Sequence, residues 1–148
     1  MRSILLSLCL LVVFQTQGQS TQDSVKAAVN LLFEGMKNSD PATITRSFGD
    51  SAILQTIAIT AEGKTEVRME TVANFAKSVG SRPKGSLDER IKFETIKIDA
   101  DLASVWTPYE FWFNGKFSHC GVNSFQLVRI KGVWVIQYII DTRRKKCS

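Results

Sequence analysis

"WTPYEFWFNGKFSHCGVNSFQLVRIKGVWVIQYIIDT", residues 106–142, holds three β-rich runs separated by Asn114-Gly115 and Lys131-Gly132. Pairs of this kind between alternating apolar runs signal tight reversals, because Gly and Asn enter positive φ at low cost. The stretch reads as an antiparallel meander of strands 102–113, 116–130 and 133–142. Treating each reversal as a two-residue turn sets the register. Phe113 then opposes Lys116, Glu110 opposes His119, Trp106 opposes Asn123, Phe125 opposes Tyr138 and Leu127 opposes Ile136. Neighbouring strand residues point to opposite faces, so His119 and Cys120 cannot converge on one metal or form a nucleophile and base together.

Upstream, Val25, Ala28, Val29, Leu32, Phe33 and Met36 recur at helical spacing and predict a first helix. Asp40, Pro41 and Gly49 supply a cap, a first-turn proline and a stop for a short second helix. Residues 51–69 read as a hairpin, and "METVANFAKSVG" returns to helical spacing. "GSRPKGSLDER" is polar and rich in breakers, and reads as a loop. In "IKFETIKI" the apolar positions change parity around Glu94 and Thr95, the mark of a bulge, and Pro108 is a second candidate irregularity. The order helix, helix, hairpin, helix, meander predicts an α+β domain with helices on one face of a curved antiparallel sheet.

The N-terminus carries Arg2, an apolar run from Ile4 to Phe14 and then small and polar residues. That run is too short to span a bilayer, and the pattern predicts a signal peptide over 1–18, an exported domain over 19–148 and a periplasmic or extracellular location. Cleavage leaves Cys120 and Cys147 in a compartment that permits disulfides, and spacing does not decide whether they bridge. The formal charge is +5, much of it in "TRRKKCS". A short basic tail without interleaved aromatics argues against nucleic acid as a partner, and no membrane association is expected after cleavage.

With the register above, one sheet face carries Trp106, Glu110, Trp112, His119, Asn123, Phe125, Leu127, Trp134, Ile136, Tyr138 and Ile140. Large aromatics with a few polar groups suit a ligand pocket as well as a core. The opposite face, with Tyr109, Phe111, Phe113, Cys120 and Val122 among others, is too apolar for open solvent and is expected to form a homodimer interface, testable by Phe111→Glu. Asp141, Arg143 and Arg144 are assigned to the strand end and tail. A Glu110–His119 pair has three readings: a buried structural pair, an oriented general base, or a polar ligand contact. With a single His and opposed cysteines, no metal site is expected.

At "HCGVNSFQLVRIKGVWVIQYIIDTRR", preceded by "WTPYEFWFNGKF", the sequence resembles the nuclear-transport-factor-2-like superfamily, more narrowly its SnoaL-like and lumazine-binding-like branch. The resemblance covers nearly the whole mature chain. It implies a cone-shaped half-barrel whose three N-terminal-half helices pack on the concave face, with a pocket between them, and no cofactor. It also implies two functional classes. The first is an exported, non-catalytic module binding a small molecule in a mostly apolar pocket through Trp106, Asn123, Phe125 and Tyr138. The second is a cofactor-independent lyase or isomerase using His119 with Glu110 as acid and base.

Overall fold

The structure, a computed structural model, describes residues 16–147, with side chains from residue 21 onward. The signal-peptide expectation falls mostly outside the described residues. Helix α1 spans Thr16–Asn38, α2 Pro41–Ser47 and α3 Val72–Gly80. The strands are β1 Phe48–Ile59, β2 Thr65–Glu70, β3 Leu87–Ile91, β4 Thr95–Asp99, β5 Leu102–Phe113, β6 Lys116–Ile130 and β7 Val133–Thr142.

The helical stripe forms as its spacing predicts: Val25, Val29, Leu32 and Met36 are buried in the core. Ser39 ends α1 in the left-handed region, and the Asp40 amide donates back to the Gly35 carbonyl at 2.9 Å, satisfying a C-terminal carbonyl. Asp40 then caps α2, one oxygen accepting from the Ala42 and Thr43 amides at 3.0 and 3.1 Å. Thr71 caps α3, which begins later than the pattern suggested, because Met69 belongs to β2.

The sheet runs β2-β1-β7-β6-β5-β3, with β4 also paired to β5. It is mixed rather than wholly antiparallel, since β1 lies parallel to β7. The helices cover one face, where Phe125, Leu127, Ile136, Ala103 and Val105 close the core. Both reversals form as read: Asn114 and Gly115, and Lys131 and Gly132, all have positive φ.

Two features depart from expectation. The segment expected as one strand over 91–98 is two, and β3 begins at Leu87, inside the stretch read as a loop. Between them the Lys92 and Glu94 amides still donate to the carbonyls of Pro108 and Trp106, so β5 passes Pro108 without a bulge. The irregularity predicted around Glu94 and Thr95 is present, because Ile91 pairs with Tyr109 but Thr95 with Trp106, leaving one residue extra on that edge. Two more lie in β6 and β7. Trp112 pairs with Phe117 but Phe111 with His119, leaving Ser118 as an extra residue in β6. Leu127 pairs with Ile136 but Gln126 with Tyr138, leaving Gln137 extra in β7. Each bulge exchanges the faces of every residue beyond it.

Candidate functional site

Those two bulges decide what faces the helices. Past Ser118, His119 shares a face with Phe111, and Glu110 with Cys120. Past Gln137, Phe125 shares a face with Ile139, and Asn123 with Asp141. The concave side therefore carries Tyr109, Phe111 and Phe113 from β5, His119 and Asn123 from β6, and Ile139 and Asp141 from β7. On the convex side lie Trp106, Glu110, Trp112, Tyr138 and Ile140.

A cavity of about 490 Å³ opens between this face and the helices. Leu32, Phe33 and Met36 of α1 and Phe75 and Val79 of α3 form its helical wall. Leu54, Phe111, Phe113 and Ile139 form much of the sheet wall, and Glu89, Asn123, Asp141, His119, Thr56 and Arg143 supply polar groups.

The expected residues divide accordingly. His119 and Asn123 line the cavity. Phe125 lies on the same face but deeper, fully buried with its ring edge-on to Phe33 at 6.2 Å. The remaining expectations are corrected. Trp106 pairs with Ser124 on the convex face and is 45% exposed. Tyr138 lies there too, its hydroxyl donating to Gln55 Oε1 at 2.7 Å. Glu110 is exposed and accepts from Trp112 Nε1 at 3.3 Å, so the Glu110–His119 pair does not form. Phe111 moves the other way, into the cavity.

Glu89 takes the place that Glu110 was expected to fill. Strand β3 aims it inward beside Phe111, where it accepts from Asn123 Nδ2 at 2.8 Å. The residue is only partly buried, but its carboxyl is turned away from water. That desolvation pushes its pKa up to about 7; the Asn123 hydrogen bond opposes the shift and the negative Asp141 adds to it.

Asp141 ties three strands together. It accepts from Thr56 Oγ1 at 2.6 Å, from the Tyr109 hydroxyl at 3.2 Å and from Arg143 Nε at 3.0 Å. Tyr109 also donates to the Thr142 carbonyl at 2.9 Å. Burial first, and then the charges of Asp141 and Glu89, raise the Tyr109 pKa, so the phenol stays protonated.

His119 sits between the rings of Tyr109 and Phe111, with centroids at 5.8 and 5.0 Å, and its Nδ1 lies 3.0 Å from Ser118 Oγ. Burial, then the positive Arg143 and Lys145, lower its pKa against the opposing pull of Asp141. A neutral imidazole results at physiological pH. The arrangement offers one carboxyl poised to give or take a proton near neutrality, and a neutral ring on the same wall, two strands away across Phe111. Among the described residues, no three His, Cys, Asp or Glu side chains gather as a metal site.

Sequence reasoning missed Glu89, Tyr109, Asp141 and Arg143 as cavity residues. Glu89 lay in a stretch whose polarity looked like loop, although Leu87 and Ile91 flank it at strand spacing. The others were displaced by the bulges.

A family model described as "Putative lumazine-binding" matches residues 20–138. The fold is similar to that of an NTF2-like protein of unknown function from Shewanella baltica OS155, at 14% identity and a TM-score of 0.67, covering 89% of this chain and 99% of that one. It is also similar to an NTF2-like protein of unknown function from Silicibacter pomeroyi DSS-3, at 16% identity and a TM-score of 0.69, covering 87% and 100%. A third, from Shewanella oneidensis MR-1, shows 18% identity and a TM-score of 0.64 over 82% and 98%. No curated protein matches. A curved, unclosed sheet with three helices on its concave side, and a family match over most of the length, place the chain in the lumazine-binding family of the nuclear-transport-factor-2-like fold.

Proposed function

We propose that the protein is an exported, non-catalytic module that binds a small, largely apolar molecule in the cavity between helices and sheet. The observation that carries this reading is the desolvated Glu89 carboxyl, held by Asn123 among aromatic and aliphatic walls. A carboxyl that keeps its proton near neutrality donates a hydrogen bond, so the ligand is an apolar body bearing an oxygen or nitrogen acceptor. The test is native mass spectrometry of residues 19–148 purified from the natural source. An added mass that leaves on denaturation is expected, and it should be lost or reduced in Glu89→Ala. Clean apo mass from several growth conditions would sink the reading.

The same carboxyl favours a second reading, a cofactor-independent isomerase or lyase in which Glu89 moves a proton while neutral His119 contacts the substrate. A pKa of about 7 suits a general base or acid working at neutral pH. Exchange of a ligand C–H for deuterium in heavy water, abolished by Glu89→Gln, separates catalysis from binding.

Export is supported by the N-terminal sequence and by the Cys120–Cys147 disulfide, a bond at home in oxidising compartments. A homodimer through the convex face is part of the proposal. Trp106, Leu102 and Ile53 are exposed on that face, beside the half-buried Tyr138 and Ile140. Because Phe111 lies in the cavity, the charge test moves to Trp106. Trp106→Glu is expected to give soluble monomer by light scattering while the wild type runs as dimer, and a variant that stays dimeric would count against this interface.

A further inference from the structure

We propose that the Cys120–Cys147 disulfide is a redox latch on the cavity, holding the C-terminal tail along β6 so that Arg143 stays at the cavity wall. The inference rests on the cavity being a ligand site.

Beyond Thr142 the chain leaves the regular ladder, and residues 143–147 are exposed. Three links keep the tail on β6. Cys120 and Arg144 exchange backbone hydrogen bonds of 3.0 and 2.8 Å, Lys145 Nζ reaches the Ser118 carbonyl at 3.3 Å, and the disulfide joins Cys147 to the buried Cys120. Two backbone hydrogen bonds from an exposed chain end and one long lysine contact are weak on their own, since terminal segments fray at low free-energy cost. The covalent bond is therefore what makes the arrangement permanent.

The arrangement matters because Arg143 sits inside the closed segment. Its guanidinium bonds Asp141 at 3.0 Å and Thr56 at 3.2 Å. It lines the cavity described above and also a second one, of about 520 Å³, that shares Thr56 and Glu70 with the first. With the tail held, the wall beside His119 and Tyr109 carries a fixed cation. With the tail free, Asp141 keeps its partners Thr56 and Tyr109 but loses the ordered arginine.

Cys147 is the exposed end of the bond, so a dithiol reductant attacks there as thiolate. The Cys120–Cys147 S–S bond breaks, a mixed disulfide forms on Cys147, and Cys120 leaves as thiolate. The second thiol of the reductant closes its own disulfide and releases Cys147. Two electrons pass to the protein and two protons convert both sulfurs to thiols.

The chain's single histidine makes the test direct, because one imidazole signal reports on the wall. The disulfide-bonded protein is compared with the same sample reduced by dithiothreitol, and with Cys147→Ser. Reduction is expected to speed hydrogen exchange of the Cys120 and Arg144 amides by about tenfold or more. It should raise the His119 pKa as Arg143 and Lys145 move off while Asp141 remains. Arg143→Gln in the oxidised protein should reproduce part of that rise. Affinity for 8-anilinonaphthalene-1-sulfonate, an apolar anion, should fall about fivefold, the size of one partly screened charge contact.

Unchanged amide exchange and an unchanged His119 titration on reduction would overturn the latch. A tail that opens with no change in dye affinity would overturn its control of the cavity. Dye bound by neither form would overturn the ligand-site reading and the regulation resting on it, while exchange and His119 report separately that the tail had opened.

Discussion

Gly121→Ala is expected to destabilise the protein by about 4 kcal/mol, the upper end of overpacking costs plus about one lost hydrogen bond. Gly121 lies in β6 directly opposite Tyr109. A Cβ built there overlaps the Thr142 carbonyl oxygen and meets the Tyr109 ring at 2.9 Å. The first obstacle is backbone, not the far end of a flexible side chain, so relief requires main-chain movement. That movement is resisted on both sides. The Thr142 carbonyl accepts the Tyr109 hydroxyl, the Val122 amide donates to Thr142 Oγ1 at 3.1 Å, and the Cys120–Arg144 bridge anchors the next residues. Only a residue without a side chain lets the end of β7, the start of β6 and Tyr109 close together. Urea unfolding of wild type and variant at constant m-value measures the cost. A loss under about 1 kcal/mol would mean the tail yields easily and that this contact does not hold the cavity wall.

The same region shows what could and could not be read in the sequence. Helix α1, the capped α2 and the two turns are local: periodic apolar residues, Asp40 before Pro41, and Asn114-Gly115 or Lys131-Gly132 each carry their own signal. A bulge is not local in that sense. Ser118 and Gln137 are ordinary strand residues, and what makes them extra is the partner strand's demand for apolar groups toward the helices. Phe111, Phe125, Ile136 and Ile139 face the helices only if one residue is skipped in β6 and one in β7. A register counted outward from ideal turns cannot see that demand, so Glu110, Tyr138 and Trp106 were given the inner face. His119 and Asn123 were assigned correctly because β6 has no extra residue between them and the helix-facing Phe125 and Leu127, so all four keep one parity. Glu89 was hidden differently. Its β3 segment, which starts just after the Pro83–Gly85 turn, has only Leu87 and Ile91 to mark it, and its role depends on burial that no spacing reports.

Glu89→Gln is expected to stabilise the protein at pH 8.5 by about 1 to 3 kcal/mol and to leave it unchanged near pH 4. The direction follows from where the proton sits. Unfolded, the carboxyl titrates near the ordinary 4.5; folded, desolvation holds it to about 7. Below 4.5 both states are protonated and Glu89 contributes nothing to the pH dependence. Between 4.5 and about 7 the folded protein keeps a proton that the unfolded chain has released, so stability falls as pH rises. Above about 7 the folded carboxyl ionises and the loss is complete, roughly 3 kcal/mol for that gap. Glutamine keeps the shape and can still accept from Asn123, but it has no charge to desolvate, so its curve lacks this descent. Other titrating groups, Asp88 and His119 among them, are common to both proteins and cancel in the difference. Thermal or urea unfolding from pH 4 to 8.5 reads the result. Parallel curves for the two proteins would mean that the Glu89 carboxyl is hydrated when folded, and would remove the proton donor on which both the binding and the proton-transfer readings depend. A divergence beginning near pH 4.5 and levelling above 7 would instead fix the protonation state in which a ligand meets the cavity. Near neutrality Glu89 would then be split between donor and acceptor forms, so a ligand bearing an acceptor should bind more tightly as the pH is lowered through 7.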